Sequence, residues 1–388
     1  MSKRRVVVTG IGVVGAPGVG MDDLWKGLQV APAAPGPHVV NNWDPEPWLP
    51  KREHRRLDRF TQFALVATHE ALEQSGQLDI DPNRVTVAVA TGIGGLGSLE
   101  ELVHGSEADD PRVSPFLLPM MMANAAAAGI SIKYGFGGQV STPVVACAAG
   151  TQAILDGLRQ IQWGYADAAV VGGAEAAARR SAREGFLAAR ALSPSGHARP
   201  FDVDRDGFVM GEGAGILIIE AAEIAEARGA KALAVLSGGA STADAHHITA
   251  PHPEGDGAER AIRLALEDAG LSPRDVGYVN AHGTGTDLND RTEGIVIDRI
   301  FEDQPAVSSI KGTTGHALGA SGSIEAAVVV EAMRRRELPP NIGLAHQDPE
   351  IPLTDIVREP RDWDPLPSIT NSFGFGGHNT VLAFTPVD

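Results

Sequence analysis

The chain has 388 residues and a net charge of −17, because 49 acidic side chains outnumber 32 basic ones. Hydrophobic residues make up 43% and charged residues 21%, which is ordinary for a globular protein and excludes a disordered or fibrous chain. An acidic body repels nucleic acid and anionic membranes, and one cysteine excludes an internal disulfide and a cysteine zinc site. We therefore expect a cytoplasmic protein with no targeting segment, no membrane span and no metal.

Short apolar runs that predict buried strands alternate along the chain with helical stretches. The predicted strands are Val6–Thr9, Val85–Ala90, Ala168–Val171, Gly215–Ile219, Ala232–Ser237, Gly277–Asn280 and Ala306–Ser308. The predicted helices include Phe60–Ser75, Thr151–Gly164, Gly257–Ala269 and Gly322–Arg336. Helices between apolar strands predict an α/β architecture.

Two proline-rich segments interrupt this alternation. Ala31–Pro50 contains six prolines and Leu338–Asp364 is also rich in proline, so both are predicted to be irregular. Around Ala221–Ala230 an acidic, alanine-rich helix ends and a new strand begins. We place the boundary between two units there, with residues 1–229 in the first and residues 230–388 in the second. Both units carry strand–turn–helix patterns, which permits an internal duplication.

Four motifs rich in small residues contain side chains that can carry chemistry. Cys147 lies where an apolar run meets a helix, and a helix N-terminus lowers the pKa of a thiol. His282 follows a predicted strand, and His316 follows Lys311 in a glycine-rich turn before a helix. Phe375 lies among three glycines near the C-terminus. A cysteine together with two histidines provides the residue types needed for acyl transfer through a thiol.

Each motif alone also has a structural explanation. Cys147 could be a small buried core residue, His282 could bond within its own turn, and the glycines around Phe375 could form a tight connection between strands. The turn at Lys311 could bind phosphate, although it lacks the Walker spacing. The adjacent pair at residues 246 and 247 makes a poor metal chelate with His252, because neighbouring residues of an extended segment point in opposite directions.

Taken in order, the motifs resemble those of the β-ketoacyl-acyl-carrier-protein synthases, especially the elongating enzymes of fatty-acid synthesis and the polyketide ketosynthases. The resemblance extends from Arg5–Gly10 to the Gly-Phe-Gly-Gly loop near the C-terminus, and it includes Thr91–Gly97, Gly172–Glu175, Ala191–Ser193 and Arg199–Val209. It implies a thiolase-like α/β fold with duplicated βαβαβ halves in an αβαβα layered arrangement.

The resemblance also implies roles for single residues. Cys147 would accept the acyl chain, while His282 and His316 would assist decarboxylation of malonyl-carrier protein and stabilise the enolate. Lys311 would orient the site. The backbone N–H groups of Cys147 and Phe375 would form the oxyanion hole, and the Phe375 side chain would gate acyl entry. No cofactor is implied.

Six further positions match substrate contacts of the family. Thr284 and Thr286 match positions that hydrogen-bond the pantetheine arm, and Ile93 and Phe186 match acyl-pocket positions. Asp244 lies in a segment that resembles a second mobile loop, and Glu325 matches a buried carboxylate near Lys311 and the histidines.

A basic run contrasts with the acidic whole and consists of Lys51, Arg52, Arg55 and Arg56. Most such runs are solvated helix faces, but this one matches the family's docking patch for the acidic acyl carrier protein, with Arg199 as a second contributor. The expected partners are that carrier protein and a second subunit. The second subunit would be a copy of this chain or a ketosynthase-like chain-length partner, and no nucleic-acid partner is expected.

The function implied is decarboxylative Claisen condensation of malonyl-carrier protein with an acyl chain on Cys147, which gives 3-oxoacyl-carrier protein for fatty-acid or polyketide synthesis. Ala148 and Ala149 are smaller than the hydroxyl residues common in the family, and three methionines at 120–122 could shape an unusual pocket. The alternatives are a subunit of a ketosynthase/chain-length-factor heterodimer, either active or a partner that does no catalysis, and a thiolase that uses coenzyme A.

Overall fold

The computed structural model describes residues 3–32, 34–105 and 113–387. Within these ranges no helix has the length and apolar character needed to cross a membrane. Strands and helices alternate along most of the chain, so the predicted α/β architecture is confirmed.

The described strands and helices are numbered in chain order. The strands are β1 (Val6–Gly15), β2 (Gly18–Val19), β3 (Val85–Ala90), β4 (Val140–Ser141), β5 (Ala168–Glu175), β6 (Gly213–Ala221), β7 (Ala234–Ala243), β8 (Tyr278–Asn280), β9 (Ala306–Ser308), β10 (Glu337–Leu338), β11 (Arg361–Asp362), β12 (Ser368–Gly374) and β13 (His378–Thr385). The helices are α1 (Met21–Leu28), α2 (Lys51–His54), α3 (Arg59–Ser75), α4 (Leu96–Gly105), α5 (Leu117–Met121), α6 (Ala125–Tyr134), α7 (Ala149–Gln162), α8 (Arg180–Ala188), α9 (Ala222–Ala227), α10 (Asp256–Ala269), α11 (Asp287–Ile300), α12 (Lys311–Thr314) and α13 (Ser321–Arg335).

One mixed sheet contains all the described strands except β10 and β11, which pair with each other. Its order is β4-β3-β5-β6-β1-β7-β13-β12-β8-β9, and the short β2 pairs with β1. Only two residue pairs join β1 to β7, so the sheet divides there into two halves of five strands. Counted outward from this contact, both halves follow the same chain order of first, fifth, fourth, second and third strand. The repeated order is the duplication expected from the sequence.

Two central helices, α7 and α13, pack against each other and contact strands of both halves. Helix α3 packs on β1, β5 and β6, while α10 packs on β7 and β13 and contacts α11. Every residue of α13 from Ser321 to Met333 is buried, as expected for a helix covered on all sides. The arrangement is the αβαβα layering of the thiolase-like fold.

Strand β1 contains two glycines that let α3 approach it closely. A Cβ atom at Gly10 would lie 2.0 Å from the carbonyl oxygen of Ala71, and one at Gly12 would lie 1.9 Å from that of Ala67. Asp58 caps the N-terminus of α3, and its carboxylate accepts a bond from the backbone N–H of Phe60 at 3.2 Å. The two glycines and the capping carboxylate together fix the position of α3 on the sheet of the first half.

The two proline-rich segments are largely irregular, as predicted. The described residues of Ala31–Pro50 contain no helix or extended strand, although Val40 and Leu49 are buried in the core. In Leu338–Asp364 the only described regular pairing is between β10 and β11.

Candidate active site

Cys147 lies in a turn that leads into the central helix α7. Ala146 has a φ of 50°, a left-handed conformation that is unfavourable for a residue other than glycine. A short 3₁₀ turn over Ala146–Ala148 follows, and α7 begins at Ala149. Strained backbone of this kind clusters at functional sites, where the surrounding structure holds a side chain in a fixed position.

The thiol of Cys147 is almost completely buried, with 6% of the residue exposed. Burial raises the pKa of the Cys147 thiol to about 11, although the backbone N–H of Phe375 and the charge of Lys311 act in the opposite direction. The lowered thiol pKa predicted from the sequence is therefore wrong. Removing water from the thiolate costs more free energy here than the neighbouring N–H dipole and the charge of Lys311 contribute to stabilising it.

His282 lies in a loop after β8 that is anchored to helix α11. The backbone N–H groups of His282 and Gly283 each donate to the carboxylate of Glu293 at 2.8 Å. Asn371 on β12 donates to the same carboxylate at 3.0 Å. One buried side chain on α11 therefore fixes the loop that carries the histidine.

Lys311 and Glu325 form a buried ion pair behind His282. The Lys311 ammonium contacts the Glu325 carboxylate and the carbonyl oxygen of His282, and it lies 3.4 Å from Nδ1 of His282. Burial lowers the pKa of His282 well below its usual value, and the charges of Lys311 and His316 act in the same direction. His282 is therefore neutral near pH 7.

His316 lies opposite His282 and is held by Ser321. Its Nδ1 atom lies 2.9 Å from the hydroxyl oxygen of Ser321, the first residue of α13. The two imidazole rings are 5.4 Å apart and almost perpendicular. Burial, followed by the charge of Lys311, lowers the pKa of His316 well below its usual value, so this ring is neutral as well.

A cavity of about 380 Å³ brings most of the predicted site residues together. Its lining includes Cys147, His282, His316, Phe375, Phe186, Thr284, Thr286 and Asp244. Lys311 and Glu325 do not line the cavity, and Ile93 is 41% exposed outside it. The hydroxyl oxygens of Thr284 and Thr286 lie 2.9 Å apart on the cavity wall.

The two segments predicted to gate the site are bonded to each other. The backbone N–H of Asp244 donates to the carbonyl of Gly377 at 2.8 Å, and that of Gly376 donates to the carbonyl of Ile248 at 2.7 Å. Asn379 donates to the Asp244 carboxylate at 2.7 Å. Movement of the Phe375 loop therefore either breaks these bonds or carries the segment that contains Asp244 with it.

The predicted docking residues differ in exposure. Lys51, Arg52, Arg55 and Arg56 are exposed on and after α2. Lys51 lies 3.4 Å from Glu46, and the Arg56 guanidinium lies 4.6 Å from the centre of the Phe116 ring. Arg199 is partly buried and donates to the carbonyl of Asp204 at 3.0 Å, so less of its charge is available to a partner.

Sequence reasoning missed three residues of this region. Arg190, just after α8, is exposed and lines the cavity. Phe208 packs against His316, with 5.2 Å between ring centres, and Ser321 bonds the same histidine. Phe208 and Arg190 lie in or next to stretches already singled out, and Ser321 lies one residue before a predicted helix, so proximity to a motif was the available signal.

Family models match most of the chain. The model for the β-ketoacyl synthase N-terminal domain matches residues 38–225, and that for the C-terminal domain matches residues 233–345. The chain belongs to the β-ketoacyl synthase family.

Named relatives of this β-ketoacyl synthase span its whole length. A Synechocystis protein called 3-oxoacyl-[acyl-carrier-protein] synthase 2 is 44% identical, covering 99% of this chain and 98% of its own. A Staphylococcus aureus protein of the same name is 42% identical, covering 98% of each chain.

Solved structures extend the comparison. The ishigamide ketosynthase/chain length factor superposes with a TM-score of 0.94 at 32% identity, over 100% of both chains. A β-ketoacyl synthase from Burkholderia phymatum gives 0.92 at 32% identity, over 99% of this chain and 100% of its own. A type II polyketide ketosynthase in complex with its acyl carrier protein gives 0.90 at 30% identity, over 100% of both.

Proposed function

We propose that this chain catalyses decarboxylative condensation of malonyl-carrier protein with an acyl group held on Cys147. The observation that carries the proposal is the convergence of Cys147, His282 and His316 on one cavity. The relatives named as 3-oxoacyl-[acyl-carrier-protein] synthases support it.

In the first half-reaction the Cys147 sulfur attacks the carbonyl carbon of an acyl-carrier thioester. The carrier thiol leaves with the proton that Cys147 loses. We assign the oxyanion hole for this step to the backbone N–H groups of Cys147 and Phe375, and the Phe375 N–H also bonds the Cys147 sulfur. Because the free thiol is protonated near pH 7, proton removal must accompany the attack.

In the second half-reaction malonyl-carrier protein loses CO₂, and the resulting enolate carbon attacks acyl-Cys147. The Cys147 thiolate leaves and takes up a proton, and the product is 3-oxoacyl-carrier protein. Nδ1 of His282 faces the Lys311 ammonium and Nδ1 of His316 faces the Ser321 hydroxyl, so both atoms can accept. The remaining N–H of each ring is then at Nε2, where it can donate to the enolate oxygen.

The test is reconstitution with acyl- and malonyl-carrier protein, with CO₂ and 3-oxoacyl product measured together. Iodoacetamide or cerulenin labels Cys147 and abolishes condensation, and Cys147→Ala does the same. Full condensation by Cys147→Ala would reject the proposed nucleophile. Retained activity of a ketosynthase partner assembled with Cys147→Ala would favour a subunit that does no catalysis. Preference for coenzyme A thioesters over carrier thioesters in steady-state kinetics would favour a thiolase.

Fatty-acid and polyketide synthesis share this chemistry and differ in the chain on Cys147. Mass spectrometry of acyl-Cys147 formed with defined carrier proteins separates them. Saturated chains alone indicate fatty-acid elongation, whereas polyketo or polyenoyl chains indicate polyketide extension.

For carrier docking we assign Lys51, Arg52, Arg55 and Arg56, with Arg199 as a lesser contributor. Exposed cations on a body with a net charge of −17 attract an acidic partner to one face. Lys51→Glu combined with Arg55→Glu raises KM for carrier-bound substrate and leaves turnover of an N-acetylcysteamine thioester unchanged. Arg274→Glu is the control for a charge reversal elsewhere on the surface, because Arg274 is also exposed and pairs with Glu302. Equal effects of both changes on KM would reject the assignment.

For oligomerisation we infer a dimer, either of this chain or with a ketosynthase-like chain-length partner. The edge strand β4 leaves one side of its backbone unpaired within the described sheet, and Ile132, Val140 and Val144 near it are exposed. Sedimentation of the purified chain tests the homodimer, and Ile132→Asp should weaken it.

We also propose that the chain divides into two units between residues 229 and 230. The family models support this division, because one ends at residue 225 and the next begins at residue 233.

We propose a cytoplasmic location as well, because a catalytic thiol has to stay reduced.

A further inference from the structure

Two glycine-containing motifs, Thr91–Gly97 and Gly172–Glu175, have no role in the chemistry above, yet they are bonded to each other. Glu175 ends β5 and is completely buried. Its carboxylate accepts bonds from the backbone N–H of Gly92 at 2.6 Å and from the Thr91 hydroxyl at 3.2 Å. The backbone N–H of Gly319 donates to the same carboxylate at 3.3 Å. One side chain therefore joins a loop of the first half to a turn of the second.

Each bond leads to a wall of the apolar cluster around the nucleophile. Cys147 packs with Ala177 and Leu318, and Leu96 and Phe186 lie against them. Leu318 directly precedes Gly319, whose N–H donates to Glu175. Leu96 follows the loop that begins at Gly92, and Ala177 lies two residues after Glu175 itself. Three side chains of the cluster, Leu318, Leu96 and Ala177, thus lie on segments anchored to one carboxylate.

The backbones at Gly92 and Gly319 also lie too close together for a side chain to fit between them. A Cβ atom at Gly319 would lie only 2.1 Å from the backbone nitrogen of Gly92. Both backbones therefore reach the same carboxylate with no side chain between them. If the carboxylate stopped accepting these bonds, the buried N–H of Gly319 and the partly buried N–H of Gly92 would lose their partner, and an unpaired buried N–H is costly.

The charge of Glu175 also acts on the nucleophile. Burial raises the pKa of Glu175 to about 7, whereas the bonds from Gly92, Gly319, Thr91 and Ile93 act in the opposite direction. When ionised, Glu175 in turn raises the pKa of Cys147, in addition to the larger effect of burial. The Glu175 carboxylate is therefore close enough for its charge to affect the pKa of the Cys147 thiol.

We propose that Glu175 is a positioning residue that sets the shape of the apolar pocket beside Cys147, which is the part of the cavity lined by Leu318 and Phe186, through the backbones of Gly92 and Gly319. It does not touch the reacting atoms. As the pocket lies beside the proposed acyl carrier Cys147, the substrate part of this inference rests on the proposed function: Glu175 governs which acyl chains are accepted.

The test compares Glu175→Gln with Glu220→Gln. The control residue is equally buried and lies on the neighbouring strand β6, where it bonds Thr9 and Arg228 away from the cavity. Cys147 of each protein is alkylated with iodoacetamide and with its N-hexyl and N-dodecyl derivatives, and the rates are read by intact-mass spectrometry. This reading of the pocket needs no enzymatic activity.

We expect Glu175→Gln to change the ratio of long-chain to short-chain alkylation rates by about tenfold, as loss of one or two buried bonds implies. Glu220→Gln should leave the ratio at the wild-type value. In condensation assays Glu175→Gln changes KM for long acyl donors, while its rate of malonyl-carrier protein decarboxylation stays within about threefold of the wild-type rate.

An unchanged alkylation ratio in Glu175→Gln, or the same change in both variants, would overturn the inference. If Glu175→Gln does not fold, Thr91→Val should shift the ratio in the same direction. It removes the bond from the Thr91 hydroxyl to the carboxylate together with the bond that this hydroxyl accepts from the Gly94 N–H at 3.1 Å. A wild-type protein that never condenses substrates would refute the proposed function alone, because the alkylation ratios would still report on Glu175.

Discussion

The hydroxyl oxygen of Ser321 lies 2.9 Å from Nδ1 of His316. Ser321 is the first residue of α13, whose buried face holds the hydroxyl in place. We assign the hydroxyl as the donor to Nδ1, which places the proton of the neutral ring on Nε2. With this assignment, the start of a central helix determines which nitrogen of His316 can donate to the proposed substrate.

Ser321→Ala should lower kcat for condensation by about tenfold, because the ring loses the bond that selects its tautomer. Formation of acyl-Cys147 should change much less, since that half-reaction does not need His316. Both steps are measured by quenched-flow mass spectrometry. Ser323→Ala is the control, as Ser323 is also buried on α13 but bonds the carbonyls of Ala320 and Gly173 rather than a histidine. Equal loss in both variants would contradict a role for the tautomer.

Alkylation of Cys147 should show the raised thiol pKa directly. The thiolate fraction grows about tenfold per pH unit well below the pKa, so the iodoacetamide rate should climb steadily between about pH 7 and pH 9. The expected curve has no plateau in that range, because burial raises the pKa of Cys147 to about 11. N-acetylcysteine, measured in parallel, levels off near its ordinary pKa. A plateau for Cys147 by about pH 8 would contradict the structure.

The Lys311–Glu325 pair should behave as a unit in unfolding experiments. Removing one partner leaves a buried charge alone, so Lys311→Met or Glu325→Leu should each lower the free energy of unfolding by about 3–5 kcal/mol. Both side chains are at most 2% exposed. The double variant should lose much less than the sum. Urea unfolding of all four proteins completes the cycle, and simple additivity would show that the two side chains do not interact.

Gly319 should tolerate no side chain. Gly319→Ala brings a Cβ atom to 2.1 Å from the backbone nitrogen of Gly92 and should lower the free energy of unfolding by about 3 kcal/mol. Gly185→Ala is the control, because no atom lies within 4 Å of its Cβ position on the exposed helix α8. It should instead raise stability by up to about 1 kcal/mol through helix propensity. Thermal unfolding distinguishes the two, and a stable Gly319→Ala would contradict the packing.

Much of the fold followed from local sequence pattern. All seven predicted strands overlap observed ones, because buried strands of a covered sheet are apolar throughout. The glycines around Phe375 do form a tight connection between strands, but the pattern did not predict the strands β12 and β13 themselves, which mix polar residues such as Asn371 and Asn379 with apolar ones. Those polar side chains bond Glu293 and Asp244, which are distant in the sequence, so a local pattern cannot predict their burial.

The candidate site was predictable to a similar degree. Glycine-rich motifs indicated Cys147, His282, His316 and Phe375 as residues for chemistry, and all four line one cavity. The raised pKa of Cys147 was not predictable, because it depends on how much water the whole fold removes from one sulfur. Position next to a helix indicates the sign of a local dipole but says nothing of burial.

The repeated strand order has a consequence for where the chemistry resides. Cys147 lies between the third strand of the first half and its central helix α7, and His316 lies between the third strand of the second half and its central helix α13. The two residues therefore occupy equivalent places in two copies of one topology. The two copies carry different side chains at this place, the proposed nucleophile in one and the proposed hydrogen-bond donor in the other. Neither half contains all the proposed catalytic residues, so the proposed reaction depends on the contact between the two halves.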